Sequence, residues 1–107
     1  MSNQKQFGVW IDNHQAAIVG NENAEEGTLK VLAHVKGEIS TQAKFFKEIA
    51  SHMVNATHVH VTGTGQAQEK FIHYLAATPQ FKNSKTEEST SNKMSDEKLI
   101  AFITAKF

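Results

Sequence analysis

The chain has 107 residues, with eleven lysines, no arginine, eleven acidic residues and six histidines, for a formal net charge of zero. This size suits one domain spanning 1–107, which buries about 60 to 70% of the unfolded chain's surface on folding. Neutrality and the absence of arginine exclude the electrostatic footprint of a strong nucleic-acid binder, and the absence of cysteine excludes disulfides and thiolate metal sites.

The polar residues from Met1 to Gln6 lead straight into a strand-like run, with no apolar leader and no stretch of about 18 apolar residues, so a soluble cytoplasmic protein with no membrane partner is expected. Phe7 to Asp12 is short, nearly continuously apolar and rich in aromatic and β-branched residues, as a central strand covered on both faces requires. A turn at Asn13 and His14 returns the chain as Gln15 to Gly20, a hairpin partner. The acidic, glycine-bounded stretch from Gly20 to Gly27 reads as a second, exposed turn. Leu29, Val31, Ala33 and Val35 then alternate with Lys30, Leu32, His34 and Lys36, the period-two pattern of a strand with one wet face.

The period changes after Ser40, an N-cap residue type. Phe46, Ile49, Ala50 and Met53 recur at helical spacing with Phe45 widening the stripe, which predicts a helix over 40–54. Thr57 to Thr62 alternates again and stops at Gly63 and Gly65. A second helix starts near Gln66, carries Phe71, Ile72 and Leu75 inward and fades before Pro79. Lys82 to Lys93 is wholly polar, and Thr86 to Thr90 fits either a short edge strand or an exposed loop. Ser95 followed by Asp96 and Glu97 caps a final helix, in which Leu99, Phe102, Ile103 and Phe107 repeat at helical spacing.

The order β-β-β-α-β-α-(β)-α predicts an α/β fold with a ribonuclease H-like mixed sheet, the first strand near its centre. Three segments also carry a family resemblance: GVWIDNHQAAIV (8–19), TGTGQAQEKFIHYL (62–75) and NKMSDEKLIAFITAKF (92–107). In the same order and at similar spacing, they resemble small bacterial "translational machinery" proteins. Through them, the chain is similar to the middle domain of archaeal and eukaryotic peptide-chain release factors and of pelota. The resemblance implies a Gly-Pro-Gly-like turn at Gly63, Thr64 and Gly65, with threonine in the proline position, the family lysine at Lys70 or its neighbourhood, and the aromatic residue at Phe71. Release factors act through a Gly-Gly-Gln loop before the first long helix. Here that stretch is Gly37 to Gln42, with no Gly-Gly-Gln anywhere in the chain, so peptidyl-tRNA hydrolysis is not implied.

Two readings of the turn Gly63, Thr64, Gly65 and Gln66 stand side by side. Glycines let backbone approach an anion, and the first N–H groups of the following helix would point at it. The simpler reading is a strand-to-helix turn that needs small residues for packing alone. His58 and His60 share one face of a strand at a spacing that could supply two metal ligands, with His14, His34 or Asp12 as a third, or they could pack as half-buried imidazoles under a helix. Asp12, Glu48 and Asp96 are the acids available for two-metal phosphoryl chemistry, an incomplete set. Asp12 also suits the hairpin turn, and Glu48 suits pairing with Lys44. The residues therefore predict a non-catalytic module without a cofactor, contacting RNA or the ribosome through Gly63 to Gln66 and Lys70, with Lys44 and Lys47 as further cations. A metal-dependent phosphoesterase or nuclease using Asp12 is the alternative, as is self-association through an exposed strand at 28–36.

Overall fold

In the computed structural model, residues 5–21, 29–38, 42–53 and 56–106 are described. β1 (Gln6–Ile11), β2 (Gln15–Gly20) and β3 (Lys30–Lys36) precede α1 (Gln42–Ala50). β4 (His58–Gly63), α2 (Ala67–Ala77), β5 (Lys85–Glu88) and α3 (Asp96–Thr104) follow, with a short 3-10 turn at Pro79–Phe81. The five strands form one sheet in the order β3-β2-β1-β4-β5. β1 pairs antiparallel with β2 and parallel with β4, β2 pairs antiparallel with β3, and β4 pairs parallel with β5. This is the ribonuclease H-like mixed α/β fold that the element order predicts.

The apolar run of β1 occupies the centre because it has a layer to bury against on each side. Phe7, Val9 and Ile11 face α1 and α2, packing with Phe46, Ile49, Phe71 and Leu75. Trp10 faces the other way, into a smaller cluster with Val19, Leu29, Leu99 and Ile103 beneath α3. Gly8 makes room there, since a β-carbon at that position would lie 2.4 Å from Ile103 Cγ1. Phe46 joins the two helices of the larger layer: its ring lies edge-on to Phe71 and Tyr74, with centroids 5.1 and 5.5 Å away.

Several sequence expectations need adjustment. α1 is shorter than the 40–54 expected, giving way at Ser51 to Met53 to a closing turn, while residues 40, 41 and 54 lie outside the described residues. The expected turn after Gly20 lies mostly outside them as well, as does Phe107. β3 does not keep one wet face. Val31 packs toward α3, whereas Leu32 and Ala33 pack toward α1 and α2. The cause is a register shift between Ile18 and Val19, which resets the alternation along the pair. The polar stretch after Lys82 does form the fifth strand, because Thr57, Val61 and Gly63 offer carbonyls that Lys85, Ser89 and Ser91 N–H groups fill at 2.8, 2.9 and 2.9 Å. None of the described helices is long and apolar enough to cross a membrane.

Phe46 is fully buried at the junction of α1, α2 and the sheet. Phe46→Ala is expected to cost about 3–5 kcal/mol of unfolding free energy, read from the shift in denaturation midpoint.

Candidate nucleic-acid interface at the glycine turn

The turn between β4 and α2 is built by two glycines with different duties. A β-carbon on Gly63 would lie 1.9 Å from the Ile11 carbonyl oxygen, so glycine is required there by the close approach of β1. Gly65 is left-handed, with φ +70°, and nothing lies within 4 Å of where its β-carbon would be. Its glycine serves the backbone conformation and leaves open space outside the turn. Gln66 occupies the N-cap position of α2 but makes no side-chain cap, so the first-turn N–H groups of α2 receive no capping oxygen from it. Gly65 and Gln66 are exposed and Thr64 half-buried. Lys70 is exposed one turn into the helix, its backbone N–H donated to the Gln66 carbonyl at 3.0 Å.

The electrostatics are mixed. The positive end of the α2 dipole lies at the turn, where Ala67 and Gln68 are buried, and Glu69 in the same first turn offsets part of it. The other expected cations are dispersed. Lys47 borders a hollow with Tyr74, Thr78 and Gln80, beside the far end of α2. Lys44 borders one with Lys36 and Glu38, next to the end of β3. β3 lies three strand spacings from β4, about 14 Å. The structure therefore brings Gly63, Thr64, Gly65, Gln66 and Lys70 together in one strand-turn-helix unit and leaves Lys44 and Lys47 outside it.

The histidines belong to the other face of the sheet. His60 is buried at 3% exposure, with Nε2 2.8 Å from Ser89 Oγ and its ring edge-on to Phe102 of α3 at 6.0 Å. Its Nδ1 lies 3.7 Å from Glu87 Oε2, an electrostatic approach and not a hydrogen bond. His58 is half-buried with Nδ1 3.2 Å from Thr57 Oγ1. The strand face that looked polar in the sequence is thus covered by α3 and by the segment after β5, which also places Thr62 Oγ1 2.8 Å from Ser91 Oγ. This cover comes from residues about 30 positions later in the chain, a contact no local pattern announces.

Asp12 is not near the histidine pair. His60 stands opposite Gly8 in the β1–β4 register, and Asp12 lies four residues on, about 13 Å along the strand direction. Its Oδ1 accepts the N–H groups of His14 and Gln15 at 2.7 and 2.8 Å, which closes the β1–β2 hairpin. His14 Nδ1 lies 3.1 Å from Glu38 and His34 Nε2 3.0 Å from Asp96. Glu48 stands with Lys36 and Lys44 beside α1. Asp12, Glu48 and Asp96 therefore each have separate surroundings, and among the described residues no three histidine, aspartate or glutamate side chains converge as a metal site.

The chain matches no protein-family profile, and no curated protein matches it by sequence. Solved structures do share its fold. The Pelota protein of Thermoplasma acidophilum superposes with a TM-score of 0.69 at 20% identity, over 94% of this chain and 32% of that one. The archaeal translation termination factor aRF1 gives 0.63 at 16% identity, over 99% of this chain and 36% of that one. The fowlpox virus Holliday junction resolvase gives 0.56 at 16% identity, over 92% and 69%. The chain thus spans about a third of the Pelota and aRF1 chains. At these identities the likeness establishes a shared fold.

The two turn glycines are expected to respond differently to alanine. Gly65→Ala should cost about 1–2 kcal/mol, the strain of a left-handed L-residue. Gly63→Ala should cost more, because it must also displace the β1 backbone. Paired denaturation curves read the difference.

Burial lowers the pKa of His60 from its ordinary 6.5, and Lys106 lowers it further, against a raising effect from Glu87. The folded state therefore favours neutral imidazole, and below about pH 6.5 the unfolded chain binds the proton more readily. The stability contributed by neutral His60 is complete above that pH and is lost as pH falls toward the lower folded value. His60→Gln should flatten this acid-side decline, measured as unfolding free energy between pH 7 and pH 5.

Proposed function

We propose that this protein is a non-catalytic, translation-associated module that contacts RNA phosphate through Gly63 to Gln66 and Lys70. The observation that carries the reading is the start of α2, where Gln66 gives no side-chain cap, Gly65 leaves open space, and one exposed lysine stands a turn away. The fold supports the translation setting, because it is shared with Pelota and with the termination factor aRF1. Peptide release is not part of the reading, since the chain has no Gly-Gly-Gln.

The neutral net charge makes the contact local and shallow in its salt dependence. One neutralised phosphate gives a slope of about −0.7 in log K against log salt on a single strand, far below that of a broad basic surface. Self-association through β3 is a weaker reading. Symmetric antiparallel pairing of β3 about Ala33 sets Lys30 opposite Lys36, and like charges directly opposed disfavour that register.

Ribosome co-sedimentation at low salt tests the proposal. Association that weakens with a slope near one phosphate, and that drops on Lys70→Glu or on replacing Gly65, is the expected result. Absence of association, or indifference to both substitutions, overturns it.

A further inference from the structure

β5 is an outer strand of the sheet and pairs only with β4. Lys85, Ser89 and Ser91 donate their N–H groups to the carbonyls of Thr57, Val61 and Gly63 at 2.8, 2.9 and 2.9 Å, so the odd-numbered residues face inward from 85 to 91. Along an extended strand alternate residues turn their backbone groups to opposite sides. Thr86, Glu88 and Thr90 therefore direct their N–H and C=O groups to the open edge. The stretch 85–91 holds no proline or glycine, and the register with β4 runs unshifted from Lys85 to Glu88, so no backbone irregularity closes this edge.

An edge of this kind takes another extended strand, and the side chains decide which one. Residues 85–91 include no apolar residue, so charge and not burial sets the choice. β5 reads Lys-Thr-Glu-Glu, and a two-fold antiparallel pairing with a second copy can centre on any of these four residues. Centres between residues are excluded, because they set an inward-facing residue against an outward-facing one. Centring on Lys85, Glu87 or Glu88 places like charges directly opposite each other, which is destabilising. Centring on Thr86 does the reverse. Lys85 then stands opposite the partner's Glu87, Glu87 stands opposite the partner's Lys85, and the two threonines exchange their N–H···O bonds. Lys85 is exposed and the Glu87 side chain is 53% exposed, so both are open to such a pairing. The opposite edge of the sheet lacks this match, since β3 has a lysine at each end.

We propose that β5 is a self-recognition edge that pairs antiparallel with β5 of a second copy about Thr86, joining the two sheets into one. The selecting feature is the reciprocal Lys85–Glu87 pair, formed twice by the symmetry of the contact. This inference goes beyond the glycine-turn contact and does not depend on it. The paired stretch is short and its ion pairs are exposed, so the association is weak, with a dissociation constant on the order of 0.1 mM, and it weakens as salt is added.

Sedimentation equilibrium of the full chain at low salt, up to about 1 mM protein, is the experiment, with backbone amide NMR shifts followed on dilution. The expected result is a monomer–dimer equilibrium in which the Thr86 and Glu88 amides shift with concentration and those of β3 do not. Lys85→Glu and Glu87→Lys each turn both cross-strand pairs into like charges and should weaken self-association by about tenfold or more. Mixing the two variants restores opposite charges at both pairs, so the mixture should form a heterodimer that neither variant forms alone. Circular dichroism checks the fold of each, and Lys85→Glu, at an exposed position, carries the test by itself if Glu87→Lys disturbs the buried His60 beside it. A monomer throughout the range, a dimer whose shifts fall on β3, or a dimer indifferent to Lys85→Glu overturns the proposal.

Discussion

The parallel pairing of β1 with β4 joins the antiparallel meander to the parallel half of the sheet. Its last step is the approach of the Ile11 carbonyl to Gly63, in space that any other residue would fill with its β-carbon. That single missing atom sets where β4 can end, how tightly the chain turns and where α2 begins. Further pairing follows from the same register. The Gly63 carbonyl is taken by Ser91, and the Ser91 hydroxyl meets Thr62, so the chain after β5 is aligned on a strand whose position Gly63 fixed.

From this frame the two faces of the sheet take different characters. The face toward α1 and α2 is a dry aromatic and aliphatic layer centred on Phe46. The face toward α3 mixes apolar anchors with His60, Thr62 and the serines after β5. Buried polar groups are retained where they have partners, and here the partners come from a stretch with no hydrophobic pattern of its own. The result is one layer that stabilises by burial and another where hydrogen bonds decide the alignment.

The legible part of the sequence was the part governed by local periodicity. Continuous apolarity placed β1 in the centre, helical spacing found α2 and α3, and Ser95 capped α3 as its position suggested, accepting the Lys98 N–H at 3.4 Å. The strand-turn-helix at Gly63 to Gln66 was readable because glycine, strand end and helix start coincide within a few residues. What stayed hidden depends on distant partners. The burial of His60 needs Ser89 and Phe102, and the slip in β3 needs a bulge against β2. The separation of Asp12 from His60 was equally unreadable, because strand register and not composition sets that distance.

The α3 layer also has a consequence for the order in which the chain is made. Trp10, Val19 and Leu29 belong to the first third of the sequence, but Leu99 and Ile103, which cover them, belong to its last tenth. During synthesis the meander can therefore form early while one of its faces stays wet until α3 emerges and seats against Gly8. Completion of that face is therefore a non-local step, joining Trp10 to residues about 90 positions later in the chain.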